Sequence, residues 1–178
     1  MLPMQVTSFA QLKKEGMIKE KILSLTHSLR LFPTPFKGIY YVPSEEERRG
    51  RFIERSMRVL ADAVRFFLGT GKFYFSCRTA EEHFGIAWQP YGEVHIVNTI
   101  KSGRIDLKKR ASDKFSSGTH RARNISRILS YYGREIIFHR GKVSGAKCKS
   151  TPYGSFALLS QIKKDRKRFR EKITAPRS

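Results

Sequence analysis

The strongest pattern in the chain is a run of apolar residues at helical spacing: Ile53, Met57, Leu60, Val64 and Phe67 recur in steps of four and three. Phe52, Ser56, Val59, Ala63 and Phe66 widen that stripe into a face broad enough to need a sheet against it. Ser44 precedes Glu47 by three residues, the spacing at which a hydroxyl and a carboxylate cap a helix start reciprocally, so one long helix is predicted over 44–68. Arg48, Arg51, Arg55, Arg58 and Arg65 occupy its other side, interrupted only by Asp62. Such a stripe can track a phosphate backbone, but Glu54 and Asp62 are placed to pair with some of the arginines, and an ordinary solvated face is the preferred reading.

Upstream, Thr7 and Ser8 are candidate caps for a short helix through Leu12 that breaks near Gly16. A second helix is predicted over 18–29, with Ile22, Leu25 and Leu29 inward. Pro33 and Pro35 end helical structure, and residues 37–42 read as a turn feeding a short strand. Two helices and a hairpin over residues 1–43 fit either a reduced winged helix or an arm packed on the main domain, 44–178, and the pattern does not choose between them.

Downstream, Phe73, Tyr74 and Phe75 form an aromatic strand, Thr79 is expected to cap a one- or two-turn helix ending near Gly85, and strands follow at 93–98 and 104–108. Residues 110–119 read as a loop, and a helix over 120–131 turns Ile125, Ile128 and Leu129 inward and Arg123 and Arg127 outward. Strands at 135–139 and 143–148, joined by a tight turn at Arg140, Gly141 and Lys142, come next. Thr151 and Pro152 stand in the cap and first-turn positions of a last helix that is expected to bury Phe156, Leu159, Ile162, Phe169 and Ile173. The elements add up to an α+β fold: a mixed sheet packed by helices, a short N-terminal helical and hairpin extension, and a basic C-terminal helix.

Charge changes the picture from fold to partner. The 178 residues carry 36 Lys and Arg against 15 Asp and Glu, a formal net charge of +21, where roughly 2–8 in magnitude already keeps a small domain soluble. The surplus is uneven: residues 120–178 hold 16 basic side chains against Glu135, Asp165 and Glu171, and seven of the ten residues from Lys163 to Lys172 are basic. One or two charges suffice to complement a helix dipole, so a cluster of this size points to a polyanion. Met1 to Ala10 lack the charged start and apolar run of a secretory signal, and no apolar stretch approaches a membrane span. A cytoplasmic protein without a membrane partner is expected, with nucleic acid, duplex DNA favoured and RNA possible, as the polyanion. The residues assigned to phosphate contact are Arg121, Arg123, Arg127, Lys163, Lys164, Lys167, Arg168 and Arg170.

Candidate chemistry is thin. Asp106 and Lys108 make an Asp-x-Lys on a predicted strand with Glu93 on the strand before, the parts of a metal-dependent nuclease, yet Asp106 beside Arg104 also reads as a surface pair. Cys77 and Cys148 are widely spaced, and His27, His83, His95, His120 and His139 are scattered, so two buried or inert thiols are the preferred reading, with zinc a distant second, and no metal, cofactor or catalytic residue is assigned. His83 is read as a packing residue. Aromatic side chains among the basic residues of the last third, Tyr131, Tyr132 and Tyr153 among them, would suit an RNA-binding module, though most read as core.

Four segments occur in a telling order: residues 37–42 (KGIYYV), 76–86 (SCRTAEEHFGI), 93–97 (EVHIV) and 151–159 (TPYGSFALL). On them the chain resembles the AbiEi-type antitoxin and transcriptional regulator family, in which a winged-helix segment ends in a glycine-aromatic strand and a Thr-Ala, His-Phe-Gly motif precedes paired strands. Here those positions are Gly38, Tyr40, Thr79, Ala80, His83, Phe84 and Gly85. The resemblance implies an antitoxin that binds operator DNA, represses its own toxin–antitoxin operon and counteracts a nucleotidyltransferase-type toxin. The departure is the shortened N-terminal segment, which leaves the family's usual recognition helix without a clear counterpart.

Overall fold

Ser8 opens the first helix as the spacing predicts: its hydroxyl accepts from the Gln11 N–H while the Gln11 side chain accepts from the Ser8 N–H, and α1 runs Phe9–Lys14. The computed structural model describes residues 6–87, 89, 90, 92–113 and 120–169, without the side chains of 111–113, 120 and 121. The chain is α+β and folds as two units, Met1–Thr70 with Ile105–Arg134, and Gly71–Arg104 with Glu135–Ser178.

In the first unit β1 (Val6–Ser8), α1 and α2 (Lys19–His27) precede the hairpin of β2 (Phe32–Pro33) and β3 (Ile39–Tyr41), and the three antiparallel strands lie in the order β1-β3-β2. Leu12, Ile22 and Leu31 form a core with Phe9, Met17, Leu25, Tyr40 and Val42 packed on it. Leu29 is buried as expected, although α2 stops at His27 and Leu29 sits beyond it at φ 55. The single helix expected over 44–68 is two, α3 (Glu45–Gly50) and α4 (Ser56–Leu68). Ser44 and Glu47 do form the capping box, but Glu47 has further obligations. Its carboxylate accepts from the Tyr41 hydroxyl at 2.6 Å, the Ser44 N–H at 2.8 Å and the Glu54 N–H at 3.0 Å, which folds residue 54 back onto the start of the helix. Arg51 adopts a left-handed conformation (φ 53, ψ 49) to make the turn, and Phe52 closes over Gly50, where a Cβ would lie 2.6 Å from its ring. Ile53 is buried from the linker, not from a helix. The α4 face of Val59, Leu60, Ala63 and Val64 is buried and packs toward β1 and β3, the sheet that its breadth required. α6 (Leu107–Asp113) and α7 (His120–Ser130) complete the unit, with Ile125, Ile128 and Leu129 buried as predicted.

The second unit carries the larger sheet, ordered β6-β7-β5-β4-β9-β8. β4 (Phe73–Phe75) pairs antiparallel with β5 (Glu93–Asn98) and parallel with β9 (Gly154–Ala157), while β5 pairs parallel with β7 (Glu135–Arg140). Parallel neighbours need a long crossover, and residues 99–134 supply it, which is why the first unit is built from two stretches of chain. α5 (Cys77–His83) and α8 (Leu159–Arg168) flank the sheet.

Several expected elements are corrected. The strand over 104–108 is β6 (Gly103–Asp106), after which the chain turns helical, so part of the 110–119 loop belongs to α6; residues 114–119 lie outside the described residues. The 143–148 strand is replaced by β8 (Cys148–Thr151), paired with β9 at the far edge of the sheet, and no hairpin forms at 140–142. Thr151 and Pro152 start no helix. The Thr151 hydroxyl donates to the Gly154 carbonyl at 2.8 Å and accepts from the Tyr153 N–H at 3.1 Å, a side-chain-closed turn that satisfies the same groups a helix cap would. Phe156 is consequently a buried strand residue, stacked on Phe75 with ring centroids 5.1 Å apart, whereas Leu159 is half exposed at the start of α8. Ile162 and Phe169 are buried as expected, and Ile173 lies outside the described residues. No helix among the described residues is long and apolar enough to cross a membrane.

Candidate nucleic-acid interface

The charge of α8 is sorted by its one acid. Asp165 faces inward, 3% exposed, and its carboxylate accepts from the Ser76 hydroxyl at 2.6 Å, the Gln161 amide at 2.9 Å and the Tyr74 hydroxyl at 3.1 Å. Arg166 pairs with Glu81 at 2.9 Å. Lys163, Lys164, Lys167 and Arg168 are left exposed on a helix whose only carboxylate points elsewhere. Lys163 with Lys167 and Lys164 with Arg168 stand four residues apart, giving two cationic rows that repeat about every 6 Å along the helix. The turn after β7 closes on the end of this helix: a Cβ at Gly141 would sit 3.3 Å from Nη1 of Arg168 and 3.3 Å from Val97, so only glycine fits without displacement. Exposed Arg140 and Lys142 flank that glycine.

The first unit has a basic surface of its own. Arg30, Arg48, Arg49 and Arg51 line a surface depression with Ser28 and Leu29. Glu45 pairs with Arg48 and Arg49, and Arg51 donates to the Asn124 side chain at 2.8 Å on α7, where Arg123 and Arg127 are exposed. Arg51 enters this grouping from the left-handed turn that ends α3. Arg65 pairs with Asp62, as the solvated-face reading has it.

Of the residues assigned to phosphate contact, Arg123 and Arg127 thus belong to the first unit, Lys163, Lys164, Lys167 and Arg168 to the second, while the Arg121 side chain and all of Arg170 lie outside the described residues. The nuclease triad fares differently. Glu93 is held by Arg78 at 2.9 Å and lies 3.4 Å from Nε2 of His95; Asp106 accepts from the Lys109 N–H at 2.9 Å as a cap for α6; and Lys108 is on that helix, not on a strand.

Sequence spacing gave no reason to connect Cys77, His95 and His139, yet the fold gathers them, all fully buried, with one potential ligand atom from each within 4.8 Å of the others. Cys77 opens α5 at φ 52, and His95 and His139 come from adjacent parallel strands. Burial pushes the Cys77 thiol up to about 12 and, with Arg78, Arg104 and Arg166 nearby, holds His95 down to about 3, so both are neutral near pH 7. A neutral thiol without solvent access is a poor nucleophile. Thr79, expected as a helix cap, instead accepts from the His95 N–H at 2.7 Å and pins α5 to β5. His83 packs as expected, stacked on Phe156 with centroids 3.7 Å apart.

Compared with known protein families, curated proteins and solved structures, the chain gives no significant match to any of them.

Proposed function

We propose that the protein is a nucleic-acid-binding regulator that works by binding without catalysis. The observation that carries this reading is the exposed face of α8, where four cationic side chains have no carboxylate of their own helix because Asp165 is buried beneath them. Lysines and arginines so placed displace condensed counterions from a phosphate backbone, and the arginine-lined depression of the first unit provides a second cationic surface of the same kind. Duplex DNA is the favoured partner. The AbiEi-like motif order supports a cytoplasmic antitoxin that represses its own operon beside a nucleotidyltransferase-type toxin. In that reading residues 6–41, with two helices leading into an antiparallel hairpin and β1 completing the sheet, serve as a reduced winged helix.

The test is a titration of duplex DNA and single-stranded RNA at several salt concentrations, with wild-type protein and a variant carrying alanine at Lys163, Lys164, Lys167 and Arg168. Four phosphate contacts on duplex DNA correspond to a log–log salt slope of about −3.6, at about −0.9 per phosphate. The variant should lose that much of the slope, and an unchanged affinity and slope would remove α8 from the interface. Incubation with DNA or RNA and Mg²⁺, beside Asp106→Asn, should show no cleavage in either protein; cleavage abolished by the substitution would favour the nuclease instead.

A further inference from the structure

The geometry points to a structural metal centre, formed by Cys77, His95 and His139, that takes one divalent ion of the zinc class. Three features converge on it. The ligand atoms come from three neighbouring strands or their ends, β4 into α5, β5 and β7, and His95 and His139 share one face of the sheet because His95 pairs with Ile137 and His139 with Val97. The ligand atoms are near enough for small side-chain movements to seat one ion. Bond lengths of about 2.0–2.1 Å to nitrogen and 2.3 Å to sulfur put ligand atoms of a tetrahedral ion roughly 3.3–3.7 Å apart. Here Nδ1 of His95 is 2.9 Å from Nε2 of His139, so the two nitrogens would part by about 0.4 Å, and the sulfur, within 4.8 Å of both, would close to bonding distance.

The rings also face each other through their nitrogens. They are parallel to within 5° with centroids 5.2 Å apart, which at a 2.9 Å nitrogen contact places them end to end in nearly one plane, not face to face. The two nitrogens therefore face each other along one line, joined by a single proton, and each ring must tilt for both lone pairs to meet one ion at a tetrahedral angle. Behind His95, the Glu93 carboxylate lies 3.4 Å from Nε2 and is itself held by Arg78 at 2.9 Å. A carboxylate behind the outer nitrogen keeps the proton there and leaves Nδ1 to ligate, the arrangement that supports histidine ligands in metal sites.

The third feature is the backbone of Cys77. A φ of 52 disfavours any side chain, and the chain adopts it at the residue whose sulfur completes the set. Binding is balanced as follows: the Cys77 S–H bond breaks, a metal–thiolate bond forms, the proton leaves to solvent, and His139 keeps its proton by moving it from Nε2 to Nδ1. One proton is released per ion, and the ion's two positive charges meet the thiolate and the nearby Glu93 carboxylate. Thiolate and imidazole select against Mg²⁺ and Ca²⁺, which prefer oxygen. Full burial shuts the ion off from substrate and makes it a tie among β4, β5 and β7, with three protein ligands and a trapped water closing the fourth position. Phe169, which ends the basic helix α8, stacks on His139 with centroids 4.3 Å apart, so the centre would also brace that helix.

The experiment uses full-length protein freed of metal with a chelator and titrated with Co²⁺, followed by Zn²⁺. Expected are one Co²⁺ per chain with a thiolate-to-cobalt charge-transfer band, displacement of that band by Zn²⁺, release of one proton, and a Tm raised by several degrees with Zn²⁺ but not Mg²⁺. The band should vanish in Cys77→Ser and persist in Cys148→Ser. Because the chain has only two cysteines, the second variant alone assigns the thiolate should the first fail to fold. A folded wild-type protein with no charge-transfer band and no Zn²⁺-dependent Tm shift would overturn the assignment and leave a packed thiol–imidazole core. A band lost in Cys148→Ser would overturn it as well. Neither result bears on the nucleic-acid reading, which the lysine variant tests separately.

Discussion

Removing the Asp165 carboxylate should destabilise the second unit by about 4 kcal/mol. The figure follows from what Asp165→Ala would strand. Of the three donors to this carboxylate, Gln161 is partly exposed and can turn to water, but Tyr74 and Ser76 are 2% and 0% exposed. Each hydroxyl left buried without an acceptor costs about 1–3 kcal/mol, and the lost helix docking adds to that. Against a total stability of roughly 5–15 kcal/mol this is a large fraction. The assay is urea unfolding, with the m-value watched so that a change in midpoint is read as a change in stability. A second variant makes the reasoning refutable: Tyr74→Phe with Ser76→Ala in the Asp165→Ala background removes the stranded hydroxyls and should recover at least about 2 kcal/mol, since deleting both sides of a buried hydrogen bond is far cheaper than deleting one. A loss below about 1 kcal/mol in the single variant, or a triple variant no more stable than the single, would refute the account of how α8 is held.

Three further outcomes can be checked. Burial raises the pKa of Glu47, but the hydrogen bonds from Tyr41, Ser44 and Glu54 outweigh it and hold the carboxyl below its ordinary value. A depressed folded-state pKa contributes stability that is complete above the ordinary Glu value of about 4.3 and is lost as the pH falls through the folded one; Glu47→Gln should therefore be less stable than wild type at pH 7 and show a shallower decline below about pH 4, followed by Tm against pH. Thr79→Val keeps the shape of a buried side chain but removes the acceptor for the His95 N–H, for a cost of about 1–3 kcal/mol in the same urea assay. Leu159 is half exposed, so Leu159→Lys should shift stability by no more than about 0.5 kcal/mol; a core position would lose several times that.

Much of this protein was legible locally. The Ser8 and Ser44 caps, the buried face of α4, the inward Ile125, Ile128 and Leu129 of α7, and strand β5 follow from periodicity and capping chemistry, which act within one or two turns of chain. The misreadings share a cause. Ser44 to Leu68 has the apolar spacing of one helix, but the Glu47 carboxylate reaches Tyr41 on a strand, and that tertiary demand, absent from any helical window, breaks the helix at Arg51. Thr151-Pro152 satisfies the rules for a helix start and for a turn alike; pairing of β9 with β4, some 80 residues away in sequence, selects the turn.

What the sequence determines by itself is the large positive charge, its concentration toward the carboxyl end, and the α+β alternation of elements, because these are sums and short-range periods. What only the folded chain decides is which charges remain available and which distant side chains meet. Asp165 is one acid among many basic neighbours in the sequence, and the fold turns it toward Tyr74 and Ser76; Cys77, His95 and His139 are unrelated until parallel pairing of β5 and β7 sets two imidazoles in line. Strand order and register bring residues far apart in the chain to within bonding distance, and neither is encoded in any stretch short enough to be read alone.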